Sequence, residues 1–157
     1  MIPAGLLIGC VGVAIAILVN QFFPKQDLRW FMRLRRPRWL TFEWAIPLIW
    51  ISIFICSGGS AYHTWENSGL AQGVGLMVGY ALLEILILLY TPIMCKCRSL
   101  TVGTIIGGVG FLWGLVLAAL VAQISMWGLV LLLPYLLWSP VGTYVTWQMI
   151  GLNPGNA

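Results

Sequence analysis

Five apolar stretches, each long enough to cross a lipid bilayer, leave this chain very few folds. They run approximately over residues 2–23, 43–64, 73–94, 102–123 and 126–149. A transmembrane helix needs about 20 predominantly apolar residues, and only helices and closed barrels satisfy every backbone hydrogen bond in lipid. Because the runs are continuously apolar and do not alternate in polarity, they predict helices. We therefore expect an all-α integral membrane protein, a bundle of five transmembrane helices.

The charge content supports the same class of protein. Of the 157 residues, 61% are hydrophobic and 8% are charged, whereas roughly a quarter of the residues are charged in a soluble protein. Nearly the whole chain should therefore contact membrane lipids, and residues 1–157 should form a single five-helix membrane domain. The apolar N-terminus has no basic segment and no small-residue cleavage motif, so we interpret it as a retained first span, not a signal peptide.

The basic residues predict the orientation of the chain in the membrane. Six of the eight lie between the first two stretches, and the other two, Lys96 and Arg98, lie between the third and the fourth. Loops separated by two spans lie on the same side, and basic loops are usually cytoplasmic. The N-terminus should be outside and the C-terminus inside, in a plasma or thylakoid membrane, with an organellar membrane left open. Nothing resembles a nucleic-acid module, so nucleic acid is not an expected partner.

Glu84 is a carboxyl group near the middle of the third stretch, where charge is costly and rare. No Lys, Arg or His lies in the apolar cores to pair with it. Tyr80 and Thr91 share its helical face, so this face should point into the bundle. The residues leave three alternatives open: a packed core with a neutral Glu84 bonded to a hydroxyl, a ligand pocket that uses Glu84, or contact with a partner subunit or pigment.

Three of the nine tryptophans fall deep in the predicted membrane spans. Six others map to the two membrane interfaces, where tryptophan is common. Trp50, Trp113 and Trp138 lie nearer the depth of Glu84. If these three rings point inward, the interior is an aromatic box with one carboxyl group, which is the usual makeup of a small-molecule pocket.

The sequence shows no catalytic constellation and no metal-ligand cluster, so neither an enzyme nor a metal site is expected. Cys95 and Cys97 are spaced as a possible ligand pair, but zinc sites usually need a second pair. The fourth stretch carries small residues on one helical face, which allows close helix approach. This face could pack within the bundle or form the seam of a homodimer. Its members are Gly103, Gly107, Gly110, Gly114 and Ala118.

Two motifs resemble those of the tryptophan-rich sensory protein and translocator protein family (TspO/MBR, peripheral benzodiazepine receptor-like). They are LRWFMRLRRPRWLTFEWAIPLIW, Leu28 to Trp50, and LLLPYLLW, Leu131 to Trp138. The resemblance implies a five-helix bundle, often dimeric, with a cavity for porphyrins and other hydrophobic ligands that the first loop closes. It implies that Trp50 and Trp138 are cavity walls and that Trp39 lies in the covering loop.

The chain departs from the family pattern at several polar positions. The Gln and Asn of the third helix correspond to Leu83 and Ile87, and a Trp of that helix corresponds to Tyr90. The Leu-Asn pair of the fifth helix corresponds to Val145-Thr146. The resemblance therefore implies the fold of the family, whereas its ligand specificity is not assumed.

We expect a non-catalytic membrane protein that binds or senses a tetrapyrrole or another hydrophobic ligand. No cofactor is required, and the bound molecule could be a porphyrin, a haem or a chlorophyll-type pigment. The alternative is a subunit or assembly factor of a larger photosynthetic or respiratory membrane complex, which binds protein or pigment through its outer faces. A Glu84→Gln substitution should weaken porphyrin binding several-fold. The predicted ligand-binding residues are Trp39, Trp50, Tyr80, Glu84, Thr91, Trp113 and Trp138.

Overall fold

The structure of the chain is a computed structural model that describes residues 4–21 and 25–156. Within these ranges the regular elements are helices, with a 3-10 turn over Glu43–Ala45 and another over Pro154–Asn156. The six α-helices are α1 Ala4–Gln21, α2 Lys25–Met32, α3 Ile46–Asn67, α4 Leu70–Cys97, α5 Leu100–Ala122 and α6 Met126–Leu152.

Four helical segments are long and apolar enough to cross a membrane, and they coincide with the second to fifth predicted stretches. They are Glu43–Asn67, Leu70–Cys97, Leu100–Ala122 and Met126–Leu152. The prediction of an all-helical membrane bundle is confirmed. Helix α1 is apolar but shorter, and the predicted ends of the first stretch, Ile2 and Phe23, lie outside the described residues. The count of five spans stays a prediction.

Short polar turns reverse the chain between the long helices. Arg98 ends α4 in the left-handed conformation (φ 49°), and the amides of Arg98 and Ser99 each donate a 3.2 Å bond to the carbonyls of Cys95 and Met94. The Ser99 hydroxyl then accepts the Val102 amide at 3.3 Å and begins α5. Such serine caps satisfy amides that have no partner in the first turn, and two residues therefore suffice between the end of α4 and the start of α5.

The glycine face of α5 packs against its neighbours in the same chain. A side chain at Gly114 would overlap the ring of Tyr135 on α6, and one at Gly107 would meet Thr143 on α6 and Tyr90 on α4. The absence of side chains therefore lets α5 and α6 approach closely. These contacts correspond to the first alternative for this face, packing within the bundle. A homodimer stays a prediction.

A buried cluster joins three parts of the chain at one end of the bundle. It contains Leu34 from the segment after α2, Met94 and Leu100 beside the α4–α5 turn, and Met149 near the end of α6. Because these residues pack together, the two basic segments of the sequence lie at the same end of the bundle.

Gly114→Ala should lower the free energy of unfolding by about 1–3 kcal/mol, because the added methyl group overpacks the α5–α6 contact at the Tyr135 ring. Gly108→Ala is the matched control on the same helix, since a methyl group there meets no atom within 4 Å. Denaturant titration in detergent measures both variants. Equal stability of the two would show that α5 and α6 do not rely on this close approach.

Candidate functional site

A cavity of about 470 Å³ lies among α3, α4, α5 and α6, at the end covered by the segment between α2 and α3. Its aromatic wall includes Trp50 and Phe54 of α3, whose ring centroids are 6.2 Å apart, and Trp138 of α6. Phe42, from the covering segment, packs edge-on against Trp138 with 6.4 Å between ring centroids. The volume falls within the ordinary range for small-molecule pockets.

Most of the hydroxyl groups that line the cavity are satisfied within the chain. Tyr90 on α4 shares a hydrogen bond with Thr146 on α6. The Thr143 hydroxyl donates to the Ser139 carbonyl at 2.9 Å, and the Thr146 hydroxyl donates to the Gly142 carbonyl at 3.3 Å. These groups therefore need no ligand to complete their hydrogen bonds, and the cavity offers a mainly apolar surface.

The indole N–H of Trp138 is different, because it is buried without an acceptor among residues 4–21 and 25–156. A buried donor without a partner costs about 1–3 kcal/mol. Trp138 lines the cavity, and its N–H is a polar group that the described part of the chain leaves unused.

Charge enters the described lining at one end only, where Arg36 and Glu43 form an ion pair. The Arg36 guanidinium also lies over the ring of Phe31, 5.2 Å from its centroid. Such a stack attracts a cation to the face of the ring. The two charged side chains are 25% and 35% exposed, so this pair stands at the boundary between the cavity and the aqueous surface.

The covering segment is fastened to the end of α6 by side-chain hydrogen bonds. The Arg35 amide donates to Asn153 Oδ1 at 2.9 Å, and Asn153 Nδ2 donates to the Arg35 carbonyl at the same distance. The Trp39 indole donates to Gln148 Oε1 at 2.6 Å. These bonds hold the backbone next to Arg36 and place the segment over the cavity.

Three of the predicted ligand-binding residues, Trp50, Thr91 and Trp138, line this cavity, whereas the other four lie outside its lining. Trp39 lies on the outer side of the covering segment, where its ring packs against Tyr144 at 6.2 Å. Trp113 lies between α4 and α5 and donates its indole N–H to the Gly79 carbonyl at 3.0 Å.

Tyr80 and Glu84 face other helices and not the cavity. The Tyr80 hydroxyl shares hydrogen bonds with Ser60, at 2.6 Å, and with Thr64, at 3.2 Å, on α3. Glu84 packs against α1, where a Cβ atom at Gly12 would lie 3.3 Å from its Oε1. The predicted aromatic box around Glu84 thus differs from the structure. Residues 80–91 span about 16 Å along the axis of α4. Tyr80, Glu84 and Thr91 lie on the same face of this helix, but a different part of the structure packs against that face at each of the three positions.

The polar lining of the cavity on α6 has a signal in the sequence. Ser139, Thr143 and Thr146 are spaced four and three residues apart, which places them on one face of α6. The pairing of Arg36 with Glu43 had no comparable signal, because it depends on the turn between α2 and α3. Among the described residues, no three side chains of the metal-ligating types come together.

The long apolar helices define an integral membrane protein, and the cavity lies inside its helical bundle. The TspO/MBR family profile matches residues 6–152, so the chain belongs to this family. The resemblance inferred from the two tryptophan-containing motifs is confirmed.

Three relatives are bacterial proteins of similar length. The chain is 27% identical to the tryptophan-rich sensory protein of Cereibacter sphaeroides, over 79% of this chain and 77% of that protein. It is 25% identical to the tryptophan-rich protein TspO of Chlorobaculum tepidum, over 92% and 94% respectively. It is 30% identical to protein CrtK of Rhodobacter capsulatus, over 80% and 79%.

Tyr80→Phe should lower the free energy of unfolding by about 1–2 kcal/mol, because the hydroxyl bonded by Ser60 and Thr64 is lost in a buried contact. Tyr62→Phe is the control, since Tyr62 is exposed on α3. The measurement is denaturant titration of both variants. If Tyr80→Phe is as stable as Tyr62→Phe, the hydroxyl does not join α3 to α4.

Proposed function

We propose that this protein binds a flat hydrophobic molecule of the tetrapyrrole class in the cavity among α3–α6, and that it acts as a membrane sensor without catalysis. The cavity with Trp50 and Trp138 in its walls is the observation that carries the proposal. Aromatic side chains stack favourably on planar rings. Hydroxyl groups that are already bonded within the chain suit a ligand with few polar groups around its ring.

A sensing role is supported by the covering segment and by the name of a relative. The relative from Cereibacter sphaeroides is called a sensory protein. In this chain, Leu40 of the covering segment lines the cavity, and Trp39 of the same segment lies at the surface. A bound molecule would therefore touch a segment whose other side faces the exterior, which gives occupancy of the cavity a route to the surface.

The proposed function includes a topology with five spans in one membrane domain. In this arrangement α1 is the first span, the N-terminus is outside, and both basic segments are cytoplasmic. The position of these segments at one end of the bundle supports it, because basic loops usually remain on the cytoplasmic side.

Membership of a larger membrane complex is the second candidate, and the position of Glu84 favours it. This side chain is half-buried at the contact between α1 and α4, away from the cavity. Ionisable residues within a membrane commonly mark functional contacts. Purification in a mild detergent separates the candidates: a stoichiometric larger complex supports the second, and an isolated protein that binds a tetrapyrrole supports the first.

Gly142→Phe should weaken binding of protoporphyrin IX at least about tenfold by filling the cavity. Gly142 lies in the lining, and a side chain there meets no atom within 4 Å of its Cβ, so the substitution should not disturb packing. Gly108→Phe is the matched control, because Gly108 has equal space and lies outside the lining. Tryptophan-fluorescence quenching in lipid nanodiscs measures the affinities. Unchanged affinity of Gly142→Phe would place the porphyrin elsewhere.

The position of Glu84 in the structure changes the result expected for Glu84→Gln. Because Glu84 lies outside the cavity lining, the variant should keep the porphyrin affinity of the wild type within about twofold. The same quenching titration measures it. A several-fold loss of porphyrin affinity in Glu84→Gln would show that Glu84 belongs to the binding site and would contradict the proposed cavity.

A further inference from the structure

We propose that the cavity selects hydrophobic ligands that carry a carboxylate, that Arg36 recognises this group, and that Glu43 competes with the ligand for Arg36. This inference rests on the proposed function, because it assigns a chemical class of ligand to the same cavity. The observation behind it is that Arg36 and Glu43 are the two charged residues in the described lining and that they are paired with each other.

Arg36 is held in place independently of Glu43. Its guanidinium stacks over Phe31, and its Nη2 lies 3.8 Å from the sulfur of Met32. The backbone of the preceding residue, Arg35, is fixed by the two hydrogen bonds with Asn153. The guanidinium should therefore keep its position at the cavity end when a ligand carboxylate takes the place of Glu43.

Glu43 is the more easily displaced member of the pair. It lies in the 3-10 turn Glu43–Ala45, its side chain is 35% exposed, and Arg36 is the hydrogen-bond partner that the structure gives it. Rotation of Glu43 into water would leave the guanidinium free to bind another carboxylate with the same geometry. The exchange replaces one arginine–carboxylate pair by another, so the net preference for an acidic ligand is modest.

The charges around the cavity end favour an anionic ligand over a cationic one. Residues 29–38 contain five arginines, and Arg33, Arg35 and Arg38 are exposed. A cluster of one sign raises the local concentration of oppositely charged ligands. The remaining described lining is uncharged. A ligand carboxylate would therefore lie at Arg36 with its ring toward Trp50 and Trp138.

The test compares protoporphyrin IX with its dimethyl ester, which has the same ring and no carboxylate. The wild type should bind the acid more tightly than the ester, and the difference should shrink as salt is added. Glu43→Gln should bind the acid roughly fivefold more tightly than the wild type, with ester binding unchanged. Arg36→Gln should bind the acid no more tightly than the ester.

Arg33→Gln is the matched control, since it removes an exposed arginine of the same segment from outside the cavity lining. It should keep the preference for the acid. If Arg33→Gln loses this preference as fully as Arg36→Gln, the preference comes from the general charge of the segment, and the role of Arg36 is overturned.

The two porphyrins also distinguish failure of this inference from failure of the proposed function. If the wild type binds neither molecule, the cavity does not hold tetrapyrroles and both proposals fail. If it binds both with a ratio that no substitution changes, the inference alone fails. Ester binding reports an intact cavity in every variant. Should Arg36→Gln lose ester binding through misfolding, the acid affinity of Glu43→Gln decides: a gain supports the competition, and no gain overturns it.

Discussion

The close contact between α5 and α6 is the constraint on which the rest of the structure depends. In lipid, apolar side chains gain little by leaving their surroundings, so helices associate through packing at short distance. Glycines on α5 provide that distance: the ring of Tyr135 fills the space that a side chain at Gly114 would take, and its hydroxyl lies close to Gly110. Farther along, Gly107 and Gly110 become part of the cavity lining. One face of one helix thus supplies both the packing and a wall of the cavity.

The helical segments could be predicted from the sequence because their cause is local. The bilayer requires about 20 apolar residues per span, and four of the predicted stretches recur as long helices. The motifs around Trp50 and Trp138 also indicated the family correctly, and both residues line the cavity. These features depend on composition and spacing along the chain, which a single sequence displays.

The arrangement of the site was less predictable because it depends on which helix lies opposite each residue. Tyr80, Glu84 and Thr91 share a face of α4, yet they meet α3, α1 and the cavity respectively. Periodicity gives the direction of a side chain about its own helix, but it does not give the neighbour. The pair of Arg36 and Glu43 likewise depends on how the segment after α2 turns back toward α3.

Helix α6 carries both the cavity wall and the groups that hold the covering segment. Trp138 belongs to the wall, and Gln148 and Asn153 accept bonds from the segment about 15 and 22 Å farther along the axis. Pro140 lies between Trp138 and Gln148 and removes one helical hydrogen bond, which makes that turn of α6 easier to bend. A displacement that a ligand imposes on Trp138 has two routes to the covering segment: directly through the ring of Phe42, or along α6 through this turn to Gln148 and Asn153. The stiffness of this turn of α6 therefore sets how far the attachment of the cover at Gln148 and Asn153 moves together with the wall at Trp138.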